Sequence, residues 1–179
     1  VIQMILTEEN YYSKEADMEY LSVSQYKKFV GCLGRTGCEA KAMAELRGEW
    51  EDEKSTALLQ GSYVDAHFEG TLDIFRAQHP ELFTKTGTLK AEYKKAENVI
   101  NRIERDNYFM AHMAGQSQVI MTAELFGVKW KIKMDKYFPD KLIVDLKVME
   151  SLGKRFYSAD FGNMDFIRNW GYDLQGAVY

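Results

Sequence analysis

A lysine-rich strand that folds back onto an Asp-Leu-Lys segment constrains this chain more than any other feature. Lys129-Trp-Lys-Ile-Lys-Met-Asp135 alternates, with Trp130, Ile132 and Met134 on one face and Lys129, Lys131, Lys133 and Asp135 on the other. Phe138-Pro139-Asp140 reads as a turn, and Lys141-Leu-Ile-Val-Asp145-Leu-Lys147 as the returning strand. A turn centred on Pro139-Asp140 pairs Met134 with Leu146 and Ile132 with Val148, so the two apolar faces coincide. The same register sets Asp135 beside Asp145, with Lys147 two residues on and therefore on the same side. Two readings are open at this level. The group is either a surface hairpin whose charges offset one another, or a cation site with a lysine beside it.

The chain has 179 residues, enough for one domain with a substantial core. Hydrophobic content of 46% and aromatic content of 13% exclude a disordered tail. The net charge of -4 offers nucleic acid no global attraction, yet residues 129–147 carry six Lys against three Asp. Acidic residues gather in the first half, as in Glu49, Glu51, Asp52 and Glu53. Cys32 and Cys38 do not have the spacing of zinc or redox pairs and read as free thiols of a reducing compartment. No apolar run reaches membrane-spanning length and no leader pattern opens the sequence, so a soluble cytoplasmic protein without membrane contact is expected. Val1-Ile2-Gln3 ahead of Met4 read as either native or appended.

Thr7 to Leu21 reads as an irregular arm, and Ser22-Val-Ser24 as the cap of a short helix. Residues 39–53 are expected to be partly helical, 57–75 helical, and 89–114 a single long helix. Gly61 within the second of these suggests a close approach by another backbone or by a ligand. Three antiparallel strands follow, near 118–124, 128–136 and 141–148, and then a polar stretch and a last helix over 164–179. The expectation is one α+β domain over residues 1–179, a small central mixed or antiparallel sheet flanked by helices. Gly171 to Tyr179 shows neither a helix stop nor a polar tail, so a C-terminally shortened chain is expected.

Asp135, Asp145 and Lys147 form the best chemical constellation. Adjacent carboxylates repel unless a cation lies between them, and an all-oxygen donor set suits Mg²⁺ or Mn²⁺. Lys147 beside such a cation would orient an attacking water or offset charge on a phosphoryl group. Gln175 and Tyr179 share one helix face with Tyr172, which by spacing alone also fits an amphipathic helix.

Asp135, nine residues, then Asp145-Leu-Lys147 at the end of an apolar strand resembles the PD-(D/E)xK nuclease signature, with Met134 where proline is frequent. Gly61-Ser-Tyr-Val-Asp65-Ala-His67 resembles the Gly-Thr-x-x-His helix of the phage-type exodeoxyribonuclease VIII branch. Gln175-x-x-x-Tyr179 resembles that branch's Gln-x-x-x-Tyr helix, and Ser22-Val-Ser24-Gln-Tyr26 its N-terminal serine motif. The resemblance implies a restriction-endonuclease-like core and an exonuclease acting on linear double-stranded DNA ends in phage recombination. It implies Mg²⁺ or Mn²⁺ held by Asp135, Asp145 and the carbonyl of Leu146, with Asp65 assisting. Lys147 and Gln175 would handle the nucleophilic water, and Tyr179, Lys131 and Lys133 would contact DNA. A ring-shaped homo-oligomer and a single-strand annealing protein as partner are implied in the same way.

Two departures stand out. Asp65 occupies the place of the motif histidine, with His67 about 200° away around the helix. Gln118 stands where some relatives carry Glu, and Glu124 lies six residues on. A structure-specific endonuclease, a non-catalytic DNA-binding module and a glycosidase using the paired carboxylates are the competing readings.

Overall fold

The computed structural model describes residues 4–179; residues 1–3, and with them the question of an appended N-terminus, lie outside it. In chain order come α1 (Lys14–Glu19), α2 (Val23–Val30), β1 (Gly31–Cys32), β2 (Arg35–Thr36), α3 (Glu39–Arg47), α4 (Thr56–Glu69) and α5 (Leu72–Gln78). Then follow α6 (Lys94–Glu104), α7 (Asn107–Met113), β3 (Gln116–Leu125), β4 (Val128–Phe138), β5 (Leu142–Val144), β6 (Phe156–Ser158), β7 (Gly162–Met164), α8 (Phe166–Trp170) and α9 (Tyr172–Val178). β3, β4 and β5 are neighbours in that order, and two short hairpins, β1–β2 and β6–β7, stand apart from them. Among the described residues no helix is long and apolar enough to cross a membrane.

The chain packs as two compact units, neither continuous in sequence. Of the described residues, the first comprises 4–52, 120–133 and 150–179, and the second 53–119 and 134–149. β3 and β4 each contribute to both.

In the second unit the core lies between α4 and α6. Leu59, Tyr63 and Val64 come from α4, and Ala96 and Ile100 from α6, with Leu82, Leu89 and Tyr93 closing the cluster. The three- and four-residue spacing of these apolar side chains turns one stripe of each helix inward, and each fully buried large side chain contributes roughly 1.5–3 kcal/mol. Tyr63 is fully buried, and its hydroxyl accepts a hydrogen bond from Arg76 Nε at 3.1 Å. The expected register of the central hairpin is observed: Lys136 pairs with Val144, Tyr137 with Ile143 and Phe138 with Leu142. Asp140 in its turn takes a positive φ of 59°. β5 stops at Val144, however, where the sequence suggested a strand to residue 148.

The long helix expected over 89–114 is two helices. Asp106 leaves the helical conformation, and its carboxylate accepts the amides of Tyr108 (3.0 Å) and Phe109 (3.4 Å), capping α7. The helix expected over 57–75 ends at Gly70, where φ is +80°, and restarts as α5. Gly171, at φ +63°, likewise divides the last helix into α8 and α9. Gly61 needs no close approach: a methyl group placed there would meet nothing within 4 Å outside its own helix.

In the first unit the expected cap is present, as Ser22 Oγ accepts the Gln25 amide (3.2 Å) and Gln25 Oε1 accepts that of Ser22 (3.4 Å). The arm before it contains α1, capped by Ser13. Leu21 pairs with β4, its amide donating to Lys129 O at 2.8 Å and its carbonyl accepting from Lys131 N at 3.0 Å. Lys131 is 1% exposed, so the face of β4 read as polar is covered here. Its ammonium donates to Tyr11 O and Asp17 Oδ1, both at 2.6 Å, and lies 4.7 Å from the Tyr11 ring centre. Lys131→Met is expected to destabilise the protein by about 2 kcal/mol, because the arm would lose the two hydrogen bonds that tether it through Tyr11 O and Asp17. A urea unfolding midpoint equal to that of the parent would contradict this role.

Candidate active site

The site begins where the β4–β5 ladder ends. The β4–β5 ladder ends at Val144, and the amide of Leu146 donates instead to Asp135 Oδ2 at 2.8 Å. The carboxylate of one strand thereby holds the Asp-Leu-Lys segment in place and is itself fixed. Lys147 Nζ lies 2.5 Å from Asp145 Oδ2 and donates a long hydrogen bond to Leu146 O at 3.5 Å.

Asp65 arrives from α4, whose neighbouring Tyr63, Val64 and Ala66 are buried and fix the rotation of the helix. Asp65 and Asp135 line one small cleft together with Glu69, Gln118, Lys136 and Leu146. Burial, and then the negative charge of Asp135, push the Asp65 carboxyl up to about 7, against the opposing pull of Lys147. Burial and the neighbouring Asp145 also raise Asp135, although the Leu146 amide and Lys147 favour its charged form.

Two participants were not singled out from sequence. Glu69 lies one helical turn beyond Asp65 and accepts a hydrogen bond from the Gln118 amide. Lys136, 5% exposed, donates to Phe68 O at 2.8 Å and Ser117 Oγ at 2.6 Å, and burial lowers its pKa. The signals were available: a second acid at i+4 from Asp65, and a lysine in register with the apolar positions Trp130, Ile132 and Met134. Gln118, flagged as a departure, does face the cleft, from a backbone at φ 54°. His67 does not line it; its Nε2 is 2.9 Å from Glu104 Oε1. Glu124 is exposed on β3.

Among the described residues no group of three or more His, Cys, Asp or Glu side chains is arranged so that it could hold a metal ion. The donor chemistry nevertheless fits a hard divalent ion that keeps water ligands. The Lys147 ammonium already contacts Asp145 and the Leu146 carbonyl, so a positive charge stands beside two of the expected oxygen donors. Asp65 and Asp135 are both raised chiefly by burial and next by a neighbouring carboxylate, so acids are crowded in one poorly solvated cleft.

The remaining expected residues belong to the first unit. Gln175 is half-buried on α9, and the Tyr179 hydroxyl donates to Lys133 O at 3.2 Å. Lys133 Nζ is 4.9 Å from the Tyr12 ring centre. Lys131, expected to contact DNA, is instead buried against Asp17 and Tyr11, so its charge is consumed within the fold.

An α+β core with an Asp and an Asp-x-Lys on adjoining strand ends, and an acid from a neighbouring helix, defines the restriction-endonuclease-like class. The chain belongs to the PDDEXK-like family: the profile of the PDDEXK-like domain of unknown function (DUF3799) matches residues 22–179. A crystal structure from Eubacterium rectale, described as a putative exonuclease, is 62% identical with a TM-score of 0.95. The similarity covers 99% of this chain and 66% of that one, so the present chain spans about two thirds of its relative. No curated protein matches the sequence significantly. These findings support a nuclease.

Proposed function

We propose that this chain is the nuclease core of a Mg²⁺- or Mn²⁺-dependent exodeoxyribonuclease that hydrolyses phosphodiester bonds of linear double-stranded DNA in phage-type recombination. The observation that carries the reading is the gathering of Asp65, Asp135, Asp145, Leu146 and Lys147 within one compact unit, with the Leu146 amide bound to Asp135. Asp135, Asp145 and the Leu146 carbonyl would hold the ion, and Asp65 would add a carboxylate. When bound, the ion supplies Lewis-acid polarisation of a phosphoryl oxygen. Lys147, released from Asp145, has its ammonium available to orient water and to offset negative charge gathering on the phosphate. The hydrogen bond from the Leu146 amide to Asp135, just past the end of the β4–β5 ladder, would keep the Asp-Leu-Lys segment beside that carboxylate. Phosphate chemistry requires no base contacts, so strand ends and not sequence would be selected. The exonuclease description of the similar protein supports the same direction.

The test is incubation of linear and closed circular duplex DNA with Mg²⁺ or Mn²⁺, using Lys147→Ala as the control. Loss of linear DNA alone, abolished by the substitution, is the expected result. Cutting of circles would make the protein an endonuclease. Absence of cutting by both this chain and a C-terminally extended one would leave a DNA-binding module.

A further inference from the structure

The first unit contains a second cleft, of about 350 Å³, lined by α2, the β1–β2 hairpin, α3 and Trp170 at the end of α8. Four cations face it, Lys27, Lys28, Arg35 and Lys41, against two acids, Glu45 and Asp52. The acids are engaged: Lys28 pairs with Glu45, and Lys41 Nζ lies 2.7 Å from Asp52 Oδ2. The cations lining the cleft thus outnumber its acids by four to two, in a chain whose overall charge is -4. Lys27 Nζ donates to the neutral carbonyl of Trp170 at 2.9 Å. The Arg35 guanidinium lies 3.8 Å from the Trp170 ring centre. Among the described residues it has no hydrogen-bond or ion-pair acceptor, so a planar fork of donors is held in place with its donors uncommitted.

The hairpin carrying Arg35 is fixed by close packing. A methyl group on Gly34 would fall 2.3 Å from Asn169 Oδ1, and one on Gly37 2.4 Å from Phe29 O. Cys32 Sγ lies 3.5 Å from Asn169 O, and Gly31 takes φ +88° at the entry. Arg35 therefore projects from a glycine-built turn seated on the α8 end, and not from a freely moving loop.

We propose that this cleft binds the phosphodiester backbone of a nucleic-acid strand, with Arg35 as the principal contact. A single carboxylate would need only one guanidinium, whereas several cations around one cleft suit a polyanion. Arg35 presents paired N–H donors to phosphate oxygens, Lys27 stands on the same wall, and Thr36 adds a hydroxyl there. The assignment deepens the nuclease reading and rests on it, but it uses none of the carboxylates of the metal site.

The experiment measures binding of a short labelled single-stranded oligonucleotide to the full chain by fluorescence anisotropy in EDTA, so that no hydrolysis is involved. Arg35→Ala and Arg35→Lys are compared with the parent across a salt series, with inorganic phosphate as competitor. Arg35→Ala should weaken binding about tenfold and flatten the log–log salt dependence by about 0.7. Arg35→Lys should recover only part of the affinity, and thermal melting should be unchanged in both. Parental affinity and slope in Arg35→Ala would overturn the proposal, as would binding of inorganic phosphate without the oligonucleotide. DNA hydrolysis is scored separately. Normal oligonucleotide binding by Arg35→Ala beside intact hydrolysis removes this cleft and leaves the nuclease reading standing. Weakened binding beside no hydrolysis in any form does the reverse.

Discussion

Asp145→Asn is expected to abolish divalent-ion binding at the site and to slow DNA hydrolysis by about a hundredfold or more, the scale on which one preorganised electrostatic group affects a barrier. Asparagine preserves the shape and one acceptor oxygen but removes the charge that makes the oxygen set attractive to a hard cation. The fold should tolerate the change. The Lys147–Asp145 pair is about a third exposed on both sides, at 32% and 27%, and such pairs contribute about 0–1 kcal/mol. Titration calorimetry with Mn²⁺, run beside the digestion assay, separates the two effects. An unchanged Mn²⁺ affinity would move the ion to other residues.

Asp65→Asn is expected to act in the opposite sense on stability. The carboxyl is pushed up to about 7 in the folded protein, chiefly by burial and by Asp135, from an ordinary value of 3.8. Between those values the folded chain holds the proton more tightly than the unfolded chain does. Metal-free stability therefore falls as pH rises from about 4 to 7, and the loss persists above that. The cost at pH 8 is on the order of 4 kcal/mol. Replacing the acid with a neutral isostere should raise the EDTA melting temperature at pH 8 by several degrees, by less than half as much at pH 5, and hardly at all below about pH 4. The same substitution should shrink the stabilisation produced by Mn²⁺, since a ligand is lost. A lower melting temperature for Asp65→Asn at pH 8 in EDTA would show that the charged carboxylate is a stabilising group.

The central hairpin was legible from sequence because its information is local. A period of two and a Pro-Asp turn set which residues face each other, and the Lys136–Val144 pairing follows. The two added groups, Glu69 and Lys136, depend on tertiary packing. Glu69 gains a role only once α4 presents it to the cleft, and Lys136 only once Phe68 O and Ser117 Oγ accept its protons. Periodicity also overstated continuity. Apolar spacing runs through 89–114 unbroken, yet one aspartate cap at Asp106 is enough to end a helix there. Alternation in β4 showed which residues share a face but not what covers it, and so Lys131 read as a DNA contact. The β6–β7 hairpin has three-residue strands, too short for a period of two to register.

The interleaving of the two units sets an order for assembly during synthesis. Every residue of the carboxylate-bearing unit has left the ribosome once residue 149 has emerged, whereas the other unit must wait for residues 150–179. Residues 4–52, synthesised first, are thus completed last. The stack of Arg35 on Trp170 joins a segment made before the second unit to one made after that unit is complete. The proposed strand-binding cleft would accordingly form only after residue 170 has emerged, when the acids of the hydrolytic site have already been brought together.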